Sequence, residues 1–143
     1  MSCPYFYPVE PRASLGNGQN ALLPLGDFWT GQCRATPDEP CQPQDTTLRP
    51  LCNLGYARGN CVRFPNSPEL PDAVRFIIAG DQGNLLRLYY VIERDHHPFA
   101  HGPLEYSKTM GAFSDLPDHQ NFERQANAYV ESYLRRKNEA VAR

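Results

Sequence analysis

All five cysteines (Cys3, Cys33, Cys41, Cys52, Cys61) and eleven of the fourteen prolines fall within the first 71 of 143 residues. Proline fixes φ and removes a backbone donor, so a segment this rich in it cannot be built from uninterrupted helices or central strands. The chain reads as a single domain, residues 1–143, with two unlike parts. Residues 1–71 form a Pro/Cys-rich half that is predicted to be irregular but ordered, and residues 72–143 a half with regular structure. A chain of this length buries roughly two-thirds of its unfolded surface, enough for one core.

The second half carries clear periods. Residues 73–80 (Ala73 to Gly80) and 85–93 (Leu85 to Glu93) are β-branched and aromatic runs flanking Asp81-Gln82-Gly83-Asn84, which predicts a hairpin with Arg75 and Arg87 facing solvent. Asp95 to Pro103 reads as a loop because of Pro98 and Pro103. From about Asp118 to Asn138, Phe122, Ala126, Tyr129, Val130, Tyr133 and Leu134 recur at three- and four-residue spacing, the stripe of an amphipathic helix. Asp118 is its expected N-cap, His119 a first-turn residue, and Arg135, Arg136 and Lys137 a solvated C-terminal end. The fold class is therefore α+β: a β-hairpin or small antiparallel sheet packed on a C-terminal helix, with an irregular N-terminal half organised around a metal site.

In that first half, residues 1–31 are aromatic (Tyr5, Phe6, Tyr7, Phe28, Trp29) without a helix or strand period, with a turn at Gly16-Asn17-Gly18. Such an arm needs something to offset its lost chain entropy, and a thiolate–metal bond from Cys3 would do so. Residues 34–50 read as a polar surface loop holding Cys41. Leu51 to Pro65 reads as a ligand loop: Gly55 and Gly59 supply left-handed backbone while Cys52 and Cys61 present sulfur from either end.

The spacing C-x29-C-x7-C-x10-C-x8-C contains neither a zinc-ribbon C-x2-C nor the tight cysteine run of bacterial ferredoxins. Context carries the reading instead: an odd set of five cysteines, aromatic neighbours, and a Cys3-Pro4 pair of the form that accompanies some cluster ligands. The expected ligands are Cys3, Cys33, Cys52 and Cys61. Cys41 is set apart because its sequence neighbours are polar and a cluster ligand needs a dry shell. Arg34, Arg58 and Arg63 lie near cysteines, and Arg58 and Arg63 are expected to offset the charge of four thiolates. The cofactor expected first is a 4Fe–4S iron–sulfur cluster, with structural zinc and metal-free reduced thiols as the alternatives. His96, His97 and His101 read as loop histidines, although His97 or His101 could complete a Cys3His zinc site.

Several function classes have no signature here. The chain has no phosphate-cradling G-x-x-x-x-G-K-[ST], no G-x-G-x-x-G after a strand and no G-x-S-x-G elbow. A net charge of −2 and a pI near 6.1 give no electrostatic footprint for nucleic acid. No apolar run reaches the ~20 residues of a membrane span, and the N-terminus lacks a basic n-region and an apolar h-region, so a cytoplasmic protein is expected. With no nucleophile–base arrangement, the chain is expected to serve electron transfer, redox sensing or the structure of a partner protein, or, with zinc, as an interaction module, rather than to catalyse independently.

Overall fold

The computed structural model describes residues 1–12, 23–36, 38–65, 67, 69–117 and 121–141. It is α+β, with two antiparallel sheets and a C-terminal helix. In the larger sheet, β3 (Ala73–Gln82), β4 (Leu85–Arg94), β5 (His97–Ser107) and β6 (Ala112–Phe113) pair in chain order. The expected hairpin is β3–β4. Gly83, at φ +58°, supplies the left-handed backbone of its two-residue turn, and Arg75 and Arg87 are exposed as read. Alternation buries Val74, Phe76, Leu86, Leu88 and Ile92 on one face.

The loop expected over Asp95 to Pro103 is instead a second tight turn and most of β5. Asp95 and His96 both take positive φ, 52° and 62°, and form the turn that glycine or asparagine usually makes. The prolines fit because β6 pairs only with Tyr106 and Ser107, so β5 is an edge strand over Pro98 and Pro103.

Residues 1–31 are likewise not without regular structure. β1 (Phe6–Arg12) pairs with β2 (Phe28–Cys33), and a register shift between Pro8 and Glu10 lets β1 carry two prolines. The approach is close: a Cβ on Gly31 would lie 2.0 Å from the Tyr7 carbonyl oxygen. The polar stretch 34–50 also differs from expectation, since a single helical turn, α1 (Asp45–Thr47), runs into a π-helical segment, Leu48–Asn53, whose wider turn buries Leu48, Cys52 and Asn53. The Gly16-Asn17-Gly18 turn, Asp118 and His119 lie outside the described residues.

The helix α2 (Phe122–Val141) uses two faces. Tyr129 stacks on Phe76 and Phe122 meets it at a tilt, with ring centroids 5.8 and 5.3 Å away, which docks the apolar stripe on the larger sheet. About a quarter-turn round lies a small and polar stripe of Asn121, Gln125, Ala128 and Ser132, all buried, and it meets the N-terminal half. There the Trp29 indole donates to Ser132 Oγ at 3.2 Å. The basic end of α2 is not merely solvated: Arg135 and Arg136 pair with buried Asp27, and Lys137 with Asp81.

A cysteine-lined cavity as candidate site

Each cysteine reaches the site by a different route. Ser2 pairs with Val74 through two backbone bonds, 2.7 and 2.9 Å, and the Cys3 N–H donates to the Cys52 carbonyl at 3.1 Å. Cys3 is thereby buried rather than frayed. Gln125 fixes the same turn from α2: its Nε2 donates to the carbonyls of Cys3 (2.8 Å) and Phe6 (2.7 Å), while its Oε1 accepts from Ser2 Oγ (2.9 Å). Cys52 is positioned by its neighbour Asn53, whose amide bonds the backbone of Trp29 at 2.9 and 3.0 Å and the Leu48 carbonyl at 2.9 Å. Cys61 ends a turn closed by its own N–H on the Ala57 carbonyl at 2.7 Å. Left-handed backbone occurs as expected at Gly55 (φ +83°), just before that turn, and at Gly59 (φ +82°), within it, although what crowds Gly55 is the Met1 carbonyl and not a ligand.

Cys33 closes β2 and exchanges two backbone bonds with Cys41, 2.7 and 3.1 Å. Cys41 therefore lies beside Cys33 in space, and the polarity of its sequence neighbours does not separate it from the others. All five cysteines line one cavity of about 470 Å3, whose walls also include Tyr5, Phe6, Leu51, Ala57 and Phe64. The Tyr5 and Phe64 rings meet edge to face, with centroids 5.4 Å apart.

The sulfurs sense each other. Burial pushes the Cys3 thiol up to about 12, proximity to Cys33 and Cys61 adds to the shift, and the N–H groups of Tyr5 and Phe6 oppose it. Burial raises Cys52 further, with Cys3, Cys33, Cys61 and Cys41 all acting in the same direction. Burial and mutual repulsion therefore hold Cys3 and Cys52 protonated in the metal-free chain, and a metal bound among them would have to displace those protons while its positive charge offset the thiolates. Among the described residues, no three Cys, His, Asp or Glu side chains are grouped to hold a single ion.

Of Arg34, Arg58 and Arg63, only Arg63 lines the cavity: its Nε–H donates to Cys33 Sγ at 3.4 Å and its Nη2 to the Glu39 carbonyl at 2.8 Å. Arg58, expected beside the sulfurs, is engaged elsewhere, with Asp72 and with the carbonyls of Pro65 and Leu70. Arg34 lies over the Tyr7 ring, 3.5 Å from its centroid. His97 and His101 are exposed on β5, His96 stacks on Tyr56 at 4.2 Å, and none of the three lines the cavity.

Sequence reasoning missed Ser2, Asn53 and Gln125. Ser2 and Asn53 carry no sequence signal; for Gln125 there is a faint one, since Asn121, Gln125, Ala128 and Ser132 recur at three- and four-residue spacing as a second, small and polar stripe of the helix. Among the described residues no helix is long and apolar enough to cross a membrane. Compared with known proteins, the chain matches no family model, no curated protein and no solved structure.

Proposed function

We propose that the cavity binds an iron–sulfur cluster of the 4Fe–4S type through Cys3, Cys33, Cys52 and Cys61, and that the protein serves electron transfer or redox sensing for a partner protein. One observation carries this reading: five cysteines from separate segments converge on one apolar-walled cavity. A lone zinc draws its sulfurs to about 2.3 Å and leaves no interior space among them. A cubane core has volume of its own, and about 470 Å3 accommodates it. Cys33 and Cys41 share one backbone pair, so one of them suffices as a ligand, and Cys33 is the one that receives the Arg63 donor. Hydrogen bonds to ligand sulfur are a means by which proteins tune such clusters.

The cavity also reaches the surface. Cys33, Cys41 and Cys61 are half-buried, and the side chain of Val62, next to Cys61, is fully exposed. Exchange with a partner needs such a position.

Anaerobic reconstitution with iron and sulfide tests the reading. The expected product is brown, bleaches on reduction and holds about four irons and four sulfides per chain. Serine at Cys3, Cys33, Cys52 or Cys61 should abolish this, and Cys41→Ser should keep it. A colourless protein holding one zinc would replace the cluster with a structural ion, and a chain that takes up neither metal would end both readings.

A further inference from the structure

We infer that Cys33 and Cys41 form a reversible disulfide when the protein meets a peroxide. The two residues exchange both backbone hydrogen bonds in an antiparallel bridge. A pair of that kind holds its Cα atoms about 5.5 Å apart, inside the roughly 4.4–6.8 Å range of disulfides. Both residues are half-buried and line the cavity, and Cys33 also receives the Arg63 guanidinium. A partly open sulfur beside a cation is the setting in which cysteines react. Cys3 and Cys52, by contrast, are buried.

The chemistry balances with hydrogen peroxide as the oxidant. The Cys33 sulfur attacks the peroxide O–O bond, taking one oxygen to become a sulfenic acid and releasing the other as water. The Cys41 sulfur then attacks that sulfenic sulfur, forming the S–S bond and expelling a second water. The two thiols lose two protons and two electrons in total, and the peroxide takes them up as it becomes two waters. A dithiol reductant returns them.

Directly opposed residues on paired strands hold their Cβ atoms about 4.5–5.5 Å apart, whereas a disulfide prefers about 3.8 Å. The bridge thus forms under tension, and a strained, accessible disulfide is easily reduced. Coupling to a cofactor rests on the reading above: Cys33 cannot ligate a cluster while bonded to Cys41, so peroxide and cluster would compete for one sulfur. The disulfide itself does not depend on a metal.

The test uses the reduced, metal-free, full-length chain treated with hydrogen peroxide. Trypsin cleavage after Arg34 and Asp-specific cleavage before Asp45 put Cys33, Cys41 and Cys52 on separate peptides. The expected result is a peptide pair joining Cys33 to Cys41, lighter by two hydrogens and separated again by dithiothreitol. In Cys41→Ser the link should vanish and Cys33 should accumulate as sulfenic or sulfinic acid. Absence of a Cys33–Cys41 link, or a dominant link between other cysteines, would overturn the inference. Iron uptake without this link leaves the cluster reading standing alone, and the link without iron uptake leaves the switch standing alone.

Discussion

Gln125→Met separates a buried polar clasp from ordinary helix packing. Gln125 has no exposed surface, and its amide makes three bonds to the N-terminal segment. Methionine has nearly the same length and fills the space, but it replaces neither the donor nor the acceptor. The Cys3 carbonyl keeps the Phe6 N–H at 3.1 Å, and Ser2 Oγ keeps the Val74 carbonyl at 3.3 Å. Those two losses cost about 1 kcal/mol each, and loss of the amide at the buried Phe6 carbonyl about 1–3 kcal/mol, for a total of about 3–5 kcal/mol. At roughly 2–4 °C per kcal/mol for a chain of this size, Tm should fall by about 10 °C. Circular-dichroism melts of the reduced protein, with and without reconstitution, measure it. Iron content should fall too, because the clasp positions Cys3. A variant melting within about 2 °C of the parent would refute the reasoning.

Three further outcomes follow from local geometry. Gly55→Ala should destabilise more than Gly59→Ala in urea melts: both glycines have left-handed φ, costing about 1–2 kcal/mol, but a Cβ at Gly55 would lie 1.9 Å from the Met1 carbonyl oxygen while one at Gly59 meets nothing. Asp81 is held well below its usual carboxylate range by bonds from Lys108, Lys137 and Tyr133, so its contribution is fully present above about pH 4 and is lost as pH falls towards its folded value; Asp81→Asn should flatten the acid limb of stability against pH. Burial raises Cys3 and Cys52 in the metal-free chain, so the stability they confer is complete below about pH 8.5 and declines as pH rises to about 12; Cys52→Ala should reduce that alkaline loss in melts scanned from pH 7 to 11.

What could be read from the sequence was whatever is local. The β3–β4 hairpin announces itself by two apolar runs around a glycine turn, and the apolar stripe of α2 by its period. Pro8, Pro11, Pro98 and Pro103 misled because proline breaks a central strand but not an edge, and which strands are edges depends on pairing that no window of sequence contains. The second face of α2 stayed hidden for a similar reason. Gln125 and Ser132 look solvent-facing until the N-terminal segment arrives to take their hydrogen bonds. Within the site, distance along the chain says little about direction: Arg58 lies three residues from Cys61 yet is held by Asp72, whereas Cys41, among polar neighbours, is bonded to Cys33.

These contacts also change what should hold the cysteine-bearing half together. On sequence alone, the entropy of an irregular arm called for a thiolate–metal bond. In the fold, that arm gains a β1–β2 ladder, the Ser2–Val74 bridge, the Asn53 amide on Trp29 and the Gln125 clasp, none of which involves sulfur. Trp29, Phe6 and Leu25 are buried at or below 1% exposure, so apolar burial contributes as well. The contacts that organise the cavity therefore do not require a metal, unlike those of a zinc finger, in which metal binding and folding are one event. If the proposed cluster binds, chelating it should leave this half folded. Hydrogen exchange read by mass spectrometry over residues 1–12 and 28–33 should show protection in the metal-free reduced chain within about tenfold of the loaded one. Complete loss of protection there, with the 73–94 hairpin still protected, would return the metal to the role of primary fastener.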